Sequence, residues 1–264
     1  MVKKELLERS LPLLLETLQG KQVATLEQWE IRRKEIHTLL TEDMYGMEPP
    51  FPTTVTGEIV QTDTASFGGK GTRREILIKL VSPFSHASFS FTLVTPNHET
   101  KKPVFVYLSF TPAPLDGLGE EILDSGYAFA SIYYQDIVPD GATGFDAGLG
   151  RYATRNPYTS WGKISMWAFA TRKIMDYLVE NKKEFQLDIS KVAVIGHSRL
   201  GKTALWVGAV DPRFSLVVSN NSGAGGAALF RGKVGEQISD LYREGPREWF
   251  CGNFFNYKDS HDSL

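Results

Sequence analysis

Apolar and polar positions along the chain follow two grammars that change over near Pro103. In the first part, residues 26–40 (LEQWEIRRKEIHTLL) carry apolar side chains at helical spacing, and the Pro49–Pro50 pair is expected to end any helix there. Three alternating segments follow. Ile76, Ile78 and Leu80 recur at every second position, as do Phe89, Phe91 and Leu93, and residues 54–60 do so more loosely. Period two, with turn residues at Gly68, Gly69, Gly71 and Pro83, predicts antiparallel strands half-exposed to water.

Beyond Pro103 the runs 104–110 (VFVYLSF), 127–134 (YAFASIYY), 191–195 (KVAVI) and 214–218 (FSLVV) are almost continuously apolar, as parallel strands buried on both faces are. Helical patterns lie between them at 116–125, closed by Gly126, at 162–181, and at 199–209, stopped near Pro212. In the second of these Ile164, Trp167, Ile174, Met175 and Leu178 share one face. Strands alternating with helices predict a doubly wound, mostly parallel sheet. Antiparallel N-terminal strands leading into such a sheet are the order of the α/β-hydrolase fold, here as one domain over residues 1–264 with an N-terminal helical segment at 1–45.

Composition narrows this picture little. The chain of 264 residues is long enough for one large core, and 42 % apolar with 23 % charged residues is ordinary for a globular protein. A formal net charge of -2 offers no footprint for a polyanion, so no nucleic-acid partner is expected. The single cysteine, Cys251, excludes an intrachain disulfide and suits a reducing compartment. The opening MVKKELLERSLPLLLETLQG has Glu5, Glu8 and Arg9 ahead of its apolar run and no small-residue cleavage site after it, which predicts an amphipathic helix rather than a signal peptide. No apolar stretch approaches the ~20 residues that span a bilayer. A cytoplasmic address without a membrane partner is expected, and no cofactor or metal is implied.

The chemistry concentrates in KVAVIGHSRLGKTALWVGA, residues 191–209, which runs from buried strand through a turn into a helix. A serine at the apex of such a turn stands above the sheet, and the N–H groups of the following helix face whatever anion forms there. Gly196 and Ser198 supply the G-x-S of this elbow, although the usual second glycine is displaced from position 200, which is Leu200, to Gly201. The same stretch, GHSRLGKT from Gly196 to Thr203, also matches the phosphate-loop pattern. Bulky His197, Arg199 and Leu200 suit a phosphate cradle poorly, and no later strand ends in an aspartate for Mg²⁺. GAGGAA at 223–228 matches a dinucleotide fingerprint, but a tight turn with close backbone packing explains it more simply.

These residues carry a resemblance. GHSRLGKTALW (196–206), VVSNNSGAGGAAL (217–229) and WFCGNF (249–254), in that order and preceded by WEIRRKEI (29–36), MYG (44–46) and GYAFASIYYQDIVPD (126–140), resemble the glucuronoyl esterases, most closely their bacterial members. The resemblance implies an α/β-hydrolase that cleaves esters of 4-O-methyl-glucuronic acid, with some relatives acting as acetylxylan esterases. It implies Ser198 as the acylated nucleophile, Arg199 as stabiliser of the tetrahedral oxyanion, Lys202 and Glu236 as sugar contacts, and Trp249 in the pocket wall.

The chain departs from the family in two places. Asn221, in Asn220-Asn221-Ser222-Gly223, stands where fungal members carry a catalytic glutamate, and an amide cannot stabilise an imidazolium by charge. The fold orders its triad as serine, acid, histidine, yet of His37, His86, His98, His197 and His261 only the last follows the elbow at a distance, in a polar tail. The expectation is therefore a chain truncated by on the order of 100 residues relative to a typical hydrolase domain, with little activity of its own. The alternative is a catalytically silent carbohydrate-binding or scaffold protein. The expected partner is a small-molecule or oligosaccharide ester, and self-association through an exposed sheet edge is expected as well.

Overall fold

In the computed structural model the described residues are 9, 11–97, 99–112, 118–141, 144–232, 235–242 and 248–259. Among the described residues the first regular element is helix α1, Leu26–Leu40, which begins in a capping box: the Thr25 hydroxyl accepts from the Gln28 N–H while the Gln28 side chain accepts from the Thr25 N–H. A single π-helical turn, Thr41–Tyr45, extends it. It stops at Gly46, whose φ of 80° no side chain adopts readily and whose Cβ, if present, would lie 2.3 Å from the Ser160 carbonyl oxygen. The stop thus falls before Pro49–Pro50, which the sequence had suggested as the terminator. Of the amphipathic helix expected over residues 1–20, positions 1–8 and 10 lie outside the described residues, and the described residues 11–24 do not form it. They make turns and one isolated bridge, Glu16 with Gln22, and leave Leu13, Leu14, Leu15 and Leu18 exposed.

Among the described residues seven strands form one sheet in the order β1-β2-β3-β5-β4-β6-β7. The strands β1 (Thr54–Ser66), β2 (Gly71–Val81) and β3 (His86–Pro96) are antiparallel, and β3 pairs antiparallel with β5. The remaining strands, β4 (Lys102–Ser109), β5 (Ala128–Tyr133), β6 (Leu187–His197) and β7 (Leu216–Asn220), run parallel. Their connections carry α2 (Leu118–Asp124), the one-turn α3 (Tyr134–Ile137), α4 (Lys163–Glu180) and α5 (Arg199–Val210). Helix α2 packs Leu123 on Val94 and Phe129, while α4 and α5 cover the other face, where Leu93, Val106 and Val194 meet Trp167, Ile174 and Leu200. The period-two positions Ile76, Ile78 and Leu80 are all fully buried, so the alternation reports the core face correctly.

One strand departs from expectation. β7 is not buried on both faces: Leu216 is 55 % and Val218 37 % exposed. With β1 it is one of the two edge strands among the described residues, and it is covered on one face by α5, whose Gly208 lies against Val217. No described helix is long and apolar enough to cross a membrane.

Candidate active site

The elbow is built from backbone. Ser198 has φ 56° and ψ −124°, a left-handed conformation that a non-glycine residue holds only when its surroundings enforce it. Three contacts enforce it. The Ser198 N–H donates to the Asn220 carbonyl at the end of β7, the Lys202 N–H closes the first turn of α5 on the Ser198 carbonyl, and the Ser219 hydroxyl donates to the Gly201 carbonyl. Gly196 is required because α5 folds back over it: a Cβ there would lie 2.0 Å from the Leu200 carbonyl oxygen. Gly201 plays the matching part on the helix side, where a Cβ would come within 2.9 Å of the Asn220 carbonyl oxygen. That explains the displaced glycine. Leu200 points into the core, fully buried, and the close approach to β7 occurs one residue later.

Arg199, the first residue of α5, turns its guanidinium onto the Asp140 carboxylate, which follows α3 at the end of the β5 connection. The other Asp140 oxygen accepts from the Trp249 indole N–H at 2.8 Å, and the guanidinium lies 4.6 Å above the Trp249 ring. Trp249 is itself held by α4: the first N–H groups of that helix, on Lys163 and Ile164, donate to the carbonyls of Glu248 and Trp249. The Lys202 ammonium, also buried, sits 5.6 Å from the same indole. Asp140 therefore gathers a cation and an aromatic from two remote parts of the chain beside the elbow. Behind it the fully buried Lys163 donates to the Gly141 carbonyl and lies 3.9 Å from Glu248. Burial lowers the Lys163 pKa, with Glu248 and Asp140 opposing it, and raises that of Glu248. Burial and the charge of Asp140 also raise the Tyr134 phenol.

The expected site residues Ser198, Arg199, Lys202 and Trp249 are thus brought together. Trp249 is 5 % exposed and Arg199 covers its ring, so it supports the guanidinium instead of presenting a stacking face to a sugar. Glu236 is exposed, with a carboxylate oxygen 3.6 Å from where a Cβ on Gly223 would stand, and so borders the loop after β7. Asn221 is exposed at φ 47°. No hydrogen bond among the described residues reaches the Ser198 hydroxyl. His197 turns its ring to the Asn220 side chain, with Nδ1 3.1 Å from the amide nitrogen, and His37 stacks on Trp206 across the outer face of α5. His98 and His261 lie outside the described residues.

The rival readings fare poorly. A phosphate loop would aim successive N–H groups at an open space, whereas those of Ser198 and Lys202 are spent on protein carbonyls. The 223–228 stretch is a tight turn, with Gly226 and Ala228 N–H groups on the Gly223 carbonyl and Gly225 against the Phe250 ring. Asp140 was missed by sequence reasoning. Its partner lies 59 positions away, and no local pattern marks the pairing.

A central parallel sheet with a strained serine where β6 turns into α5 defines the α/β-hydrolase class. The profile of the family described as glucuronyl esterase, fungi, matches residues 78–264, and the chain belongs to the glucuronoyl esterases, which are carboxylic ester hydrolases. A carbohydrate esterase from an unknown prokaryotic organism is 32 % identical over 97 % of the chain and 68 % of its own length. The 4-O-methyl-glucuronoyl methylesterase of Schizophyllum commune is 26 % identical over 93 % of the chain, which spans 59 % of that relative. Among solved structures, a glucuronoyl esterase from Solibacter usitatus superposes with TM-score 0.84 at 31 % identity, covering 95 % of this chain and 73 % of its own.

Proposed function

We propose that the chain carries the nucleophile and oxyanion half of an esterase site for uronic-acid sugar esters, with Ser198 as the residue acylated. The observation that carries this reading is the strained Ser198 beside a guanidinium pinned by Asp140 and Trp249. Attack of the serine oxygen on the ester carbonyl would place negative charge on the carbonyl oxygen. The N–H at the start of α5 and the fixed Arg199 charge then stabilise that oxyanion without reorganising. Collapse releases the alcohol, which carries away the proton lost by the serine hydroxyl, and leaves an acyl-serine; water then cleaves that ester to the free uronic acid and returns a proton to the serine oxygen. Lys202 and Glu236 are assigned to the sugar. The named activity of the Schizophyllum relative supports 4-O-methyl-glucuronate as the acyl part. Release of benzyl alcohol from benzyl 4-O-methyl-glucuronate tests the reading: turnover lost in Ser198→Ala supports it, and turnover indifferent to that substitution overturns it.

One observation favours a second reading, a carbohydrate-binding protein with a silent site. The His197 ring turns to Asn220 and the His37 ring to Trp206, no hydrogen bond among the described residues reaches the Ser198 hydroxyl, and a serine hydroxyl without a base is a poor nucleophile at neutral pH. Saturable binding of free 4-O-methyl-glucuronate without any ester turnover would establish this second reading. A loss of turnover in His261→Ala would instead identify the base and dismiss it.

A further inference from the structure

A second concavity lies on the same edge of the sheet as Ser198 but over its antiparallel half. Thr54 pairs with Val81 and Val81 with His86, and β3 runs against β5, so the β2–β3 turn stands at the carboxyl edge of the parallel strands. Beside that turn is a cleft of about 580 Å³, walled by Pro50, Phe51, Phe84, Tyr152 and Trp161 and rimmed by Arg151. Three strand spacings separate β3 from β6, so the cleft is displaced laterally from the elbow by roughly 14 Å.

Two features show what it fits. The first is Phe84, 79 % exposed although its backbone is firmly held. The Ser82 hydroxyl accepts from the Phe84 and Ser85 N–H groups, and the Ser85 hydroxyl donates to the Tyr152 carbonyl at 2.5 Å. The ring is thus set out over the cleft, edge-on to Phe51 at 5.4 Å, and its ordering cost is met before any ligand arrives. The second is the state of the polar groups. The Tyr152 hydroxyl is bonded to Thr53, the Ser160 hydroxyl accepts from the Asn156 N–H, and both Glu48 oxygens are taken by Arg172. A hydroxyl-rich sugar would find few open partners in such walls. The Arg151 guanidinium, in contrast, is exposed and has no partner among the described residues. With Glu48 neutralised by Arg172, it leaves one uncompensated positive charge at the rim.

We infer that this cleft is a binding site for an aromatic carboxylate, its ring between Phe84 and the Phe51–Tyr152 wall and its carboxylate on Arg151. The site is separate from the elbow and does not rest on the esterase reading. Amide shifts of the isotope-labelled chain, titrated with sodium cinnamate, test it. Saturable changes at the amides of Met47, Glu48, Phe51, Ser82, Phe84, Ser85 and 151–154, with none at 196–203, are expected. Phe84→Ala and Arg151→Gln, both at exposed side chains and checked for an unchanged melting temperature, should each weaken cinnamate about tenfold. Cyclohexanecarboxylate and cinnamyl alcohol should be weaker by a similar factor. Variants that bind cinnamate like the parent, shifts confined to the elbow, no saturation, or xylotetraose saturating these amides where cinnamate does not would each overturn the assignment.

Discussion

At the scale of single residues, the elbow trades stability for a presented hydroxyl. Ser198 in its left-handed conformation stores about 2 kcal/mol of strain. A glycine relieves that strain while adding about 0.7 kcal/mol of freedom to the unfolded chain. Ser198→Gly should therefore be more stable by about 1 kcal/mol in urea titration, with the nucleophile gone. Gly196→Ala should lose ~3 kcal/mol by the same measurement, since its Cβ meets the Leu200 carbonyl, which is backbone and cannot step aside. For the oxyanion cation, Arg199→Ala should lower Ser198-dependent hydrolysis about 10²-fold. Asp140→Asn, which keeps shape but frees the guanidinium, should lower it less and mainly in kcat. Ser198, Arg199 and Lys202 were legible because they sit within five positions on one strand-turn-helix motif. Asp140 was not, because its place beside Arg199 exists only once the ends of β5 and β6 stand on one sheet edge with β4 between them.

At the scale of elements, periodicity identified the strands and helices that bury a full face, and it failed where burial depends on a neighbour. The run FSLVV is as apolar as KVAVI, yet β6 lies inside the sheet while β7 is an edge strand among the described residues, and nothing in the run distinguishes the two positions. Residues 11–15 are apolar enough for a helix, but they are held irregularly by Arg32, whose guanidinium donates to the Leu14 carbonyl. The junction of α5 with α4 is tied by charge. Arg213 bonds both oxygens of Asp211, the C-cap of α5, and also reaches Asp176 on α4. Burial alone would raise the Asp211 carboxyl, but the Arg213 bonds outweigh it and hold it below the ordinary carboxylate range. A depressed carboxylate contributes stability above its unfolded pKa and loses it as pH falls through the folded value. The parent chain should therefore lose stability below about pH 4, and Asp211→Asn should flatten that limb of the denaturation midpoint against pH while lowering the plateau above it.

For the whole molecule, the distribution of exposed apolar surface matters more than its amount. One end of the sheet is the long strand β1, where exposed Ile59 and Val60 are flanked by Glu58, Gln61, Thr62 and Asp63, and Lys79 on β2 pairs with Glu58. Such an edge resists pairing with another chain. The other end is β7, where Leu216 and Val218 are exposed on a short strand whose outer backbone groups have no strand partner among the described residues. A hydrophobic, uncharged edge of this kind is a template for strand addition, and β7 also fixes the elbow through the Asn220 carbonyl. Association of chains through this edge should therefore appear as a concentration-dependent mass in sedimentation, and Leu216→Lys should shift it toward the monomer by placing a charge on the edge. Because Leu216 lies four residues before Asn220, the substitution leaves the Ser198 N–H bond intact, and the elbow should keep its reactivity in the dispersed chain. An unchanged mass distribution in Leu216→Lys would place the contact elsewhere, with the exposed leucines at 13–18 the next surface to charge.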